Sequence, residues 1–241
     1  MQDLPYSEWG YCEYLCVIAG LAVAPNPRAV GAFRDALAAR LSGRAIFPVN
    51  RARNGLRIAL LAFREIRPDA SEVIIPAYIC PSVVEAVQAC GLRVAPVDIG
   101  PDLNLDLVSL EQTITPATLA VIAVHMYGCP AQVASIEALC RERNIFLIDD
   151  AAQVLGVSAE GRPLGTFGDV GIVSFSQSKT IVAGARNAGG ILAINKRELE
   201  PAIESAWRDL PPARNYRADI AQFLWDYKWG RWTNGLTRLV R

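Results

Sequence analysis

Two short stretches carry residues whose types and spacing could do chemistry. The first is Ile148-Asp149-Asp150-Ala151-Ala152-Gln153, an acid pair closing an apolar run, with a glutamine three residues on. The second is Val173-Ser174-Phe175-Ser176-Gln177-Ser178-Lys179, where serines alternate and a lysine follows. Each apolar run reads as a strand that delivers polar groups at its carboxyl end. A carboxylate and a lysine at the ends of neighbouring strands suit pyridoxal phosphate (PLP). The lysine amine condenses with the cofactor aldehyde, and the acid holds the pyridinium nitrogen. Only one of Asp149 and Asp150 can face a given pocket, because successive strand side chains point to opposite faces. The same alternation places Ser174, Ser176 and Ser178 on one side, available to a phosphate.

These residues need a scaffold, and the flanking sequence supplies one. Strand-like runs at 45–49, 72–76, 93–97, 119–124, 145–148, 170–175 and 190–195 are interleaved with helical patterns at 28–41, 56–63, 83–90 and 133–143. Strand and helix alternate throughout 45–150, which predicts an α/β domain with a mostly parallel sheet and crossover helices. Leu119 to Val124 has no polar alternation, as expected where helices cover both faces. Ligands of such sheets bind at the carboxyl ends of strands. Cys80, His125, Asp150 and Lys179 each follow an apolar run, so one pocket could collect them. Asn50 to Gly55 reads as a loop feeding a buried helix, whose free N–H groups suit a phosphate. Ser82 is the expected cap of the helix at 83–90.

After Lys196 the character shifts to a polar helix over Glu198 to Trp207, with no further strand expected. Trp207, Tyr216, Phe223, Trp225, Tyr227, Trp229 and Trp232 make the tail aromatic. The expected organisation is an N-terminal segment at 1–27, a PLP-binding large domain at 28–197 and a helical, aromatic-rich segment at 198–241.

Bulk composition narrows the partners. The 241 residues are 52% hydrophobic, enough for a sizeable core, and 24 basic residues balance 24 acidic ones. No basic excess points to nucleic acid. Cysteines stand at 12, 16, 80, 90, 129 and 140 without a Cys-x-x-Cys pair, and the one histidine lies in no ligand-spaced cluster, so no metal site is expected. The expectation is free, mostly buried thiols in a reducing cytoplasm. Tyr14 to Pro25 is apolar for about a dozen positions, short of the ~20 that a spanning helix requires, so no membrane span is expected.

The motifs taken together resemble the DegT/DnrJ/StrS sugar aminotransferases. The resemblance rests on Ile148 to Gln153, Gly165-Thr166-Phe167-Gly168-Asp169, Ser174-Phe175 with Ser178-Lys179, and Gly189-Gly190. Upstream, Val73-Ile74-Ile75-Pro76-Ala77-Tyr78, Pro96-Val97-Asp98 and His125-Met126-Tyr127-Gly128-Cys129-Pro130 fall in the same order as similar strings of that family. It covers roughly residues 28–196. It implies the large domain of the PLP-dependent transferase fold (fold type I), working as a homodimer with sites at the subunit interface. Lys179 would be the catalytic lysine that binds PLP covalently. Asp150 would hold the pyridine nitrogen, Gln153 would lie by the ring face and its 3-hydroxyl, and Ser174 would hold the phosphate. Gly55, Leu56 and Cys80 fall at further cofactor-binding positions. The implied reaction moves an amino group from an amino acid, usually glutamate, to a keto nucleotide-sugar, in cell-surface polysaccharide or secondary-metabolite biosynthesis.

The chain departs from the family in three places. The phosphate loop is a Ser-Gly-Thr type run there, whereas Arg53-Asn54-Gly55-Leu56-Arg57 keeps the glycine without the hydroxyls, leaving Arg53 or Arg57 to supply charge. Cys80 stands near the place of an aromatic ring that stacks on PLP. The family's C-terminal small domain is not recognisable after about Arg197. These departures motivate a second reading, a non-catalytic or truncated PLP-binding relative with a regulatory or partner role. A lyase or desulfurase of the same fold ranks third.

Overall fold

The computed structural model describes residues 15–16, 19, 27–42, 44–176, 179, 189–209, 221 and 225. Its bounded elements run α1 (Pro27–Arg40), β1 (Ala45–Val49), α2 (Ala52–Ile66), β2 (Glu72–Pro76), α3 (Pro81–Gln88) and β3 (Arg93–Val97). It continues with α4 (Leu107–Thr113), β4 (Thr118–Val124), α5 (Val133–Glu142) and β5 (Phe146–Asp150). A small hairpin, β6 (Ser158–Ala159) and β7 (Arg162–Pro163), precedes β8 (Val170–Ser174), β9 (Gly190–Ile194) and α6 (Glu200–Arg208).

Seven strands form one sheet in the order β1-β9-β8-β5-β4-β2-β3. From β8 to β3 all neighbours are parallel, and β9 is antiparallel to both β8 and β1. This is the expected mostly parallel α/β sheet. Its central strands are short apolar runs, with β4, β8 and β9 buried at every position, while the edge strands β1 and β3 are partly exposed.

Strand alternation sorts the core into two halves. Val73, Ile75, Ile122, Ile148, Ile172 and Leu192 face α2, α3 and α6. Ile74, Val121, Leu147, Val173, Ile191 and Ala193 face α1, α4 and α5. Within the first half Phe63 of α2 stacks on Phe146 of β5, with centroids 4.1 Å apart and planes 8° from parallel. The helix at Glu200–Arg208 shares this core through Ile203 and Ala206, and Trp207 meets Phe47 edge-on at 6.3 Å. The aromatic tail at 216, 223, 227, 229 and 232, and the 1–14 part of the N-terminal segment, lie outside the described residues.

Three expectations change. The helix after β2 starts two residues early. Cys80 is its N-cap and Pro81 its first residue, with no side-chain cap bond from Ser82. Proline at the first helical position brings a preset φ and needs no N–H partner there, so a serine cap is not required. The hairpin at 158–163 has no counterpart in the sequence reading. The thiols are not mostly buried: Cys16, Cys80 and Cys129 are exposed, while Cys90 and Cys140 are buried. Burial pushes the Cys140 thiol up to about 12, which leaves it unreactive. Among the described residues no helix is long and apolar enough to cross a membrane.

Phe63 is fully buried and stacked, so Phe63→Ala is expected to cost about 3–5 kcal/mol of stability. Urea unfolding followed by circular dichroism measures it.

Candidate functional site

The parallel strands end along one edge of the sheet, and the candidate side chains gather there. Asp150 is the last residue of β5 and is 5% exposed. Its Oδ1 accepts from the Ala152 amide at 3.0 Å. Burial pushes the Asp150 carboxyl above its ordinary range, and the Ala152 amide and the Lys179 ammonium pull against that rise. Lys179 is half-buried, and its backbone amide donates to the Ser176 carbonyl at 3.3 Å. The acid and the lysine, 29 positions apart in sequence, therefore share one local field.

Asp149 points the other way, as strand alternation requires. Its carboxylate is fully buried and accepts from His125 Nε2 at 2.7 Å, the Gly165 amide at 2.7 Å and the Phe167 amide at 3.0 Å. His125 Nδ1 in turn accepts from the Ala131 amide at 3.0 Å. His125 is thus fully buried beside Asp149 rather than in the pocket with Asp150 and Lys179. The sequence grouped it with those two because it follows an apolar run. Its parity in the strand sends it to the opposite face.

Gln153 is braced across the loops: its Oε1 accepts from the Tyr127 amide at 3.0 Å. Ser174 is 7% exposed, at the end of β8, and its hydroxyl meets that of Ser176 at 3.1 Å. Those two serines lie together as alternation predicts, and Ser178 lies outside the described residues.

The phosphate-binding candidates shift by one helical turn. Gly55 and Leu56 lie inside α2, not in a loop before it. Gly55 packs toward Ile172, Leu192 and Val49, and Leu56 is 2% exposed in the core. The unpaired N–H groups of a helix are those of its first turn, which begins at Ala52. That turn abuts the start of β9: a Cβ at Gly190 would come within 2.8 Å of the Ala52 nitrogen and 2.9 Å of the Val173 carbonyl oxygen. Gly190 in turn pairs in register with Ser174. The first turn, Gly190 and Ser174 therefore form one cradle, and Arg51-Ala52-Arg53 replaces Gly55 and Leu56 in it. Arg53 pairs with Glu85 at 3.2 Å, whereas Arg57 lies further along the helix beside Cys90.

Cys80 is exposed at the carboxyl edge, with its thiol 3.2 Å from the Ser82 hydroxyl. The aromatic surface at this edge comes instead from Tyr78 and Tyr127, whose hydroxyls are 2.7 Å apart and which are 47% and 67% exposed. Sequence reasoning passed over both, although each lies within a matched string. Tyr127 has φ +52°, an outlier for a bulky residue. Among the described residues no three metal-ligating side chains cluster.

A buried acid, a lysine and a helix N-terminus thus lie along one sheet edge. Residues 26–208 match the model of the DegT/DnrJ/EryC1/StrS aminotransferase family, and the chain belongs to that family. It is 37% identical over 148 residues to UDP-N-acetyl-3-dehydro-alpha-D-glucosamine 3-aminotransferase of Acidithiobacillus ferrooxidans, covering 61% of this chain and 39% of that protein. It is 34% identical over 158 residues to GDP-perosamine synthase of Vibrio cholerae, covering 61% and 42%. The crystal structure of DesI in the presence of its TDP-sugar product superposes with a TM-score of 0.69 at 27% identity, covering 81% of this chain and 50% of that one. The matched stretch thus spans less than half the length of either curated relative. The sheet and its flanking helices are the large domain of the PLP-dependent transferase fold (fold type I).

The raised Asp150 carboxyl fixes the sign of one pH effect. A group that holds its proton more tightly when folded contributes stability below the ordinary carboxylate range. That contribution is lost as pH rises through the raised folded value. Asp150→Asn, measured without added ligand, is therefore expected to melt above wild type at neutral pH. The two curves should converge at pH values below the ordinary carboxylate range.

Proposed function

We propose that this chain carries the PLP half-site of an aminotransferase acting on a keto nucleotide-sugar, with an amino acid, glutamate, as donor. One observation carries the proposal: Asp150, buried at the end of β5, lies within electrostatic reach of Lys179 at the carboxyl edge of the sheet, where the first turn of α2 packs closely against Gly190. The residues fit PLP, the cofactor of the family. Asp150 would hold a proton on the ring nitrogen. Gln153 would lie by the ring face, Cys80 by its rim, and Ser174 with the first-turn N–H groups of α2 would take the phosphate. When bound, PLP supplies an electron sink for the carbon that bears the amino group.

The chain's own residues do the rest. Lys179 Nζ would anchor the cofactor, take the proton from the amino-bearing carbon and deliver it to the cofactor's C4′ carbon, and run the same transfer in reverse on the keto acceptor. Burial of Asp150 excludes water from the ring nitrogen and keeps its proton in place. The names of the relatives, a UDP-sugar aminotransferase and a GDP-perosamine synthase, support a nucleotide-sugar acceptor. A homodimer with sites at the interface, a cytoplasmic location and a role in polysaccharide or secondary-metabolite biosynthesis complete the reading.

A second reading has specific support. Arg51-Ala52-Arg53 brings no hydroxyl to the cradle and Cys80 brings no ring, which favours a PLP-binding relative without turnover. One experiment separates the two. Purified chain with added PLP is expected to show the visible band of lysine-bound cofactor, and Lys179→Ala to lose it. Glutamate is expected to convert the band in wild type. A band that glutamate leaves unchanged favours the non-catalytic relative, and no band in wild type defeats both readings.

A further inference from the structure

Asp149 and His125 take no part in the proposed chemistry, yet they are the most completely bonded polar groups near it. The Ala131 amide donates to His125 Nδ1, so the ring proton sits on Nε2 and is donated to Asp149 Oδ1. The Gly165 and Phe167 amides donate to Asp149 Oδ2. Both side chains are fully buried.

These bonds join three separate segments. His125 and Ala131 bound the loop leaving β4, which carries Tyr127. Asp149 belongs to the end of β5. Gly165 and Phe167 belong to the loop that leads into β8. That loop is seated closely, because a Cβ on Gly171 of β8 would run into the Gly165 backbone. Asn195 Nδ2 holds its far side through the Phe167 carbonyl at 2.7 Å. Asp150, Ala152 and Gln153 all lie within the stretch of chain that Asp149 closes.

We propose that Asp149 and His125 are positioning residues for Asp150: their buried pair locks the exits of β4 and β5 to the loop entering β8, and this seat sets the direction of Asp150 into the site. A carboxylate with both oxygens saturated cannot rotate without breaking buried bonds. It therefore fixes the backbone of residue 149, and with it the direction of its neighbour. The inference rests on the PLP reading for what Asp150 holds, but on the chain itself for how Asp150 is held.

The test uses the full chain with His125→Leu, His125→Gln and Asp149→Asn. The first readout needs no cofactor: hydrogen exchange of the Ala152 amide, which donates to Asp150. The second is the PLP dissociation constant from the visible band. His125→Leu and Asp149→Asn are expected to speed Ala152 exchange and to weaken PLP about tenfold or more, the usual effect of losing a residue that supports a ligating side chain. His125→Gln keeps an N–H donor for Asp149 and is expected to restore most of both. That contrast remains decisive if Asp149→Asn does not fold, because it compares two replacements at one position. Unchanged Ala152 exchange in His125→Leu overturns the inference whether or not PLP binds. Faster exchange in His125→Leu, restored in His125→Gln, supports the seat even if wild type takes up no PLP, a result that would remove only the PLP reading.

Discussion

A carboxylate removed from water has to be saturated by protein donors, and the end of β5 is built around one. An isolated buried carboxylate costs several kcal/mol even after the protein relaxes. Asp149 meets that demand with a histidine N–H and two backbone amides, drawn from loops on either side of it in sequence. The acid half of the candidate site adjoins these loops. Tyr127 and Gln153 bridge them, Asp150 follows Asp149 directly, and β8 with Ser174 begins where the second loop ends. The demand of one charge for donors thus organises groups that perform no bonding to it.

The other half of the site depends on a close approach rather than on a charge. The first turn of α2 lies against Gly190, next to the end of β8. Helix α2 is amphipathic, with Leu56, Ile58, Ala59, Ala62 and Phe63 buried, so packing of that face on the sheet decides where its N-terminus points. No acidic residue stands in its first turn, while arginines occupy positions 51 and 53. Cations at a helix N-terminus oppose the macrodipole; Arg53 is offset by its pair with Glu85, and Arg51 adds to the positive potential of this end.

The alternation of apolar strands with helices made the sheet legible, because runs such as Val73-Ile74-Ile75 and Leu119 to Val124 are long enough to identify and short enough to exclude helices. The parity of Asp149 and Asp150 was legible in kind: one acid in, one out. Three things were not. The start of α2 was placed too late because Asn54-Gly55 reads as a turn, while packing of the apolar face extends the helix back to Ala52 and shifts the cradle to Arg51-Ala52-Arg53. The hairpin at 158–163 has two-residue strands with no apolar alternation, and its only signal is the Glu160-Gly161 turn, with φ of +50° and +74°. His125 was grouped with the pocket because an apolar run preceded it. Its partner lies 24 residues away, and sequence spacing carries no trace of that contact.

The position of β1 at the sheet edge has a consequence for synthesis. Among the described residues its only strand partner is β9, and Ala45 pairs with Ile194. The parallel strands from β2 to β8 can assemble as they leave the ribosome, but β1 must wait for about 150 further residues. At ~5–20 residues per second this is an interval of roughly 7–30 s. During that time Ile46 and Phe47 lack their strand partner, and the cradle beside Gly190 does not exist. The acid end of the site is therefore complete before its anion end, and a nascent chain passes through a stage with Asp150 in place and nowhere to seat a phosphate.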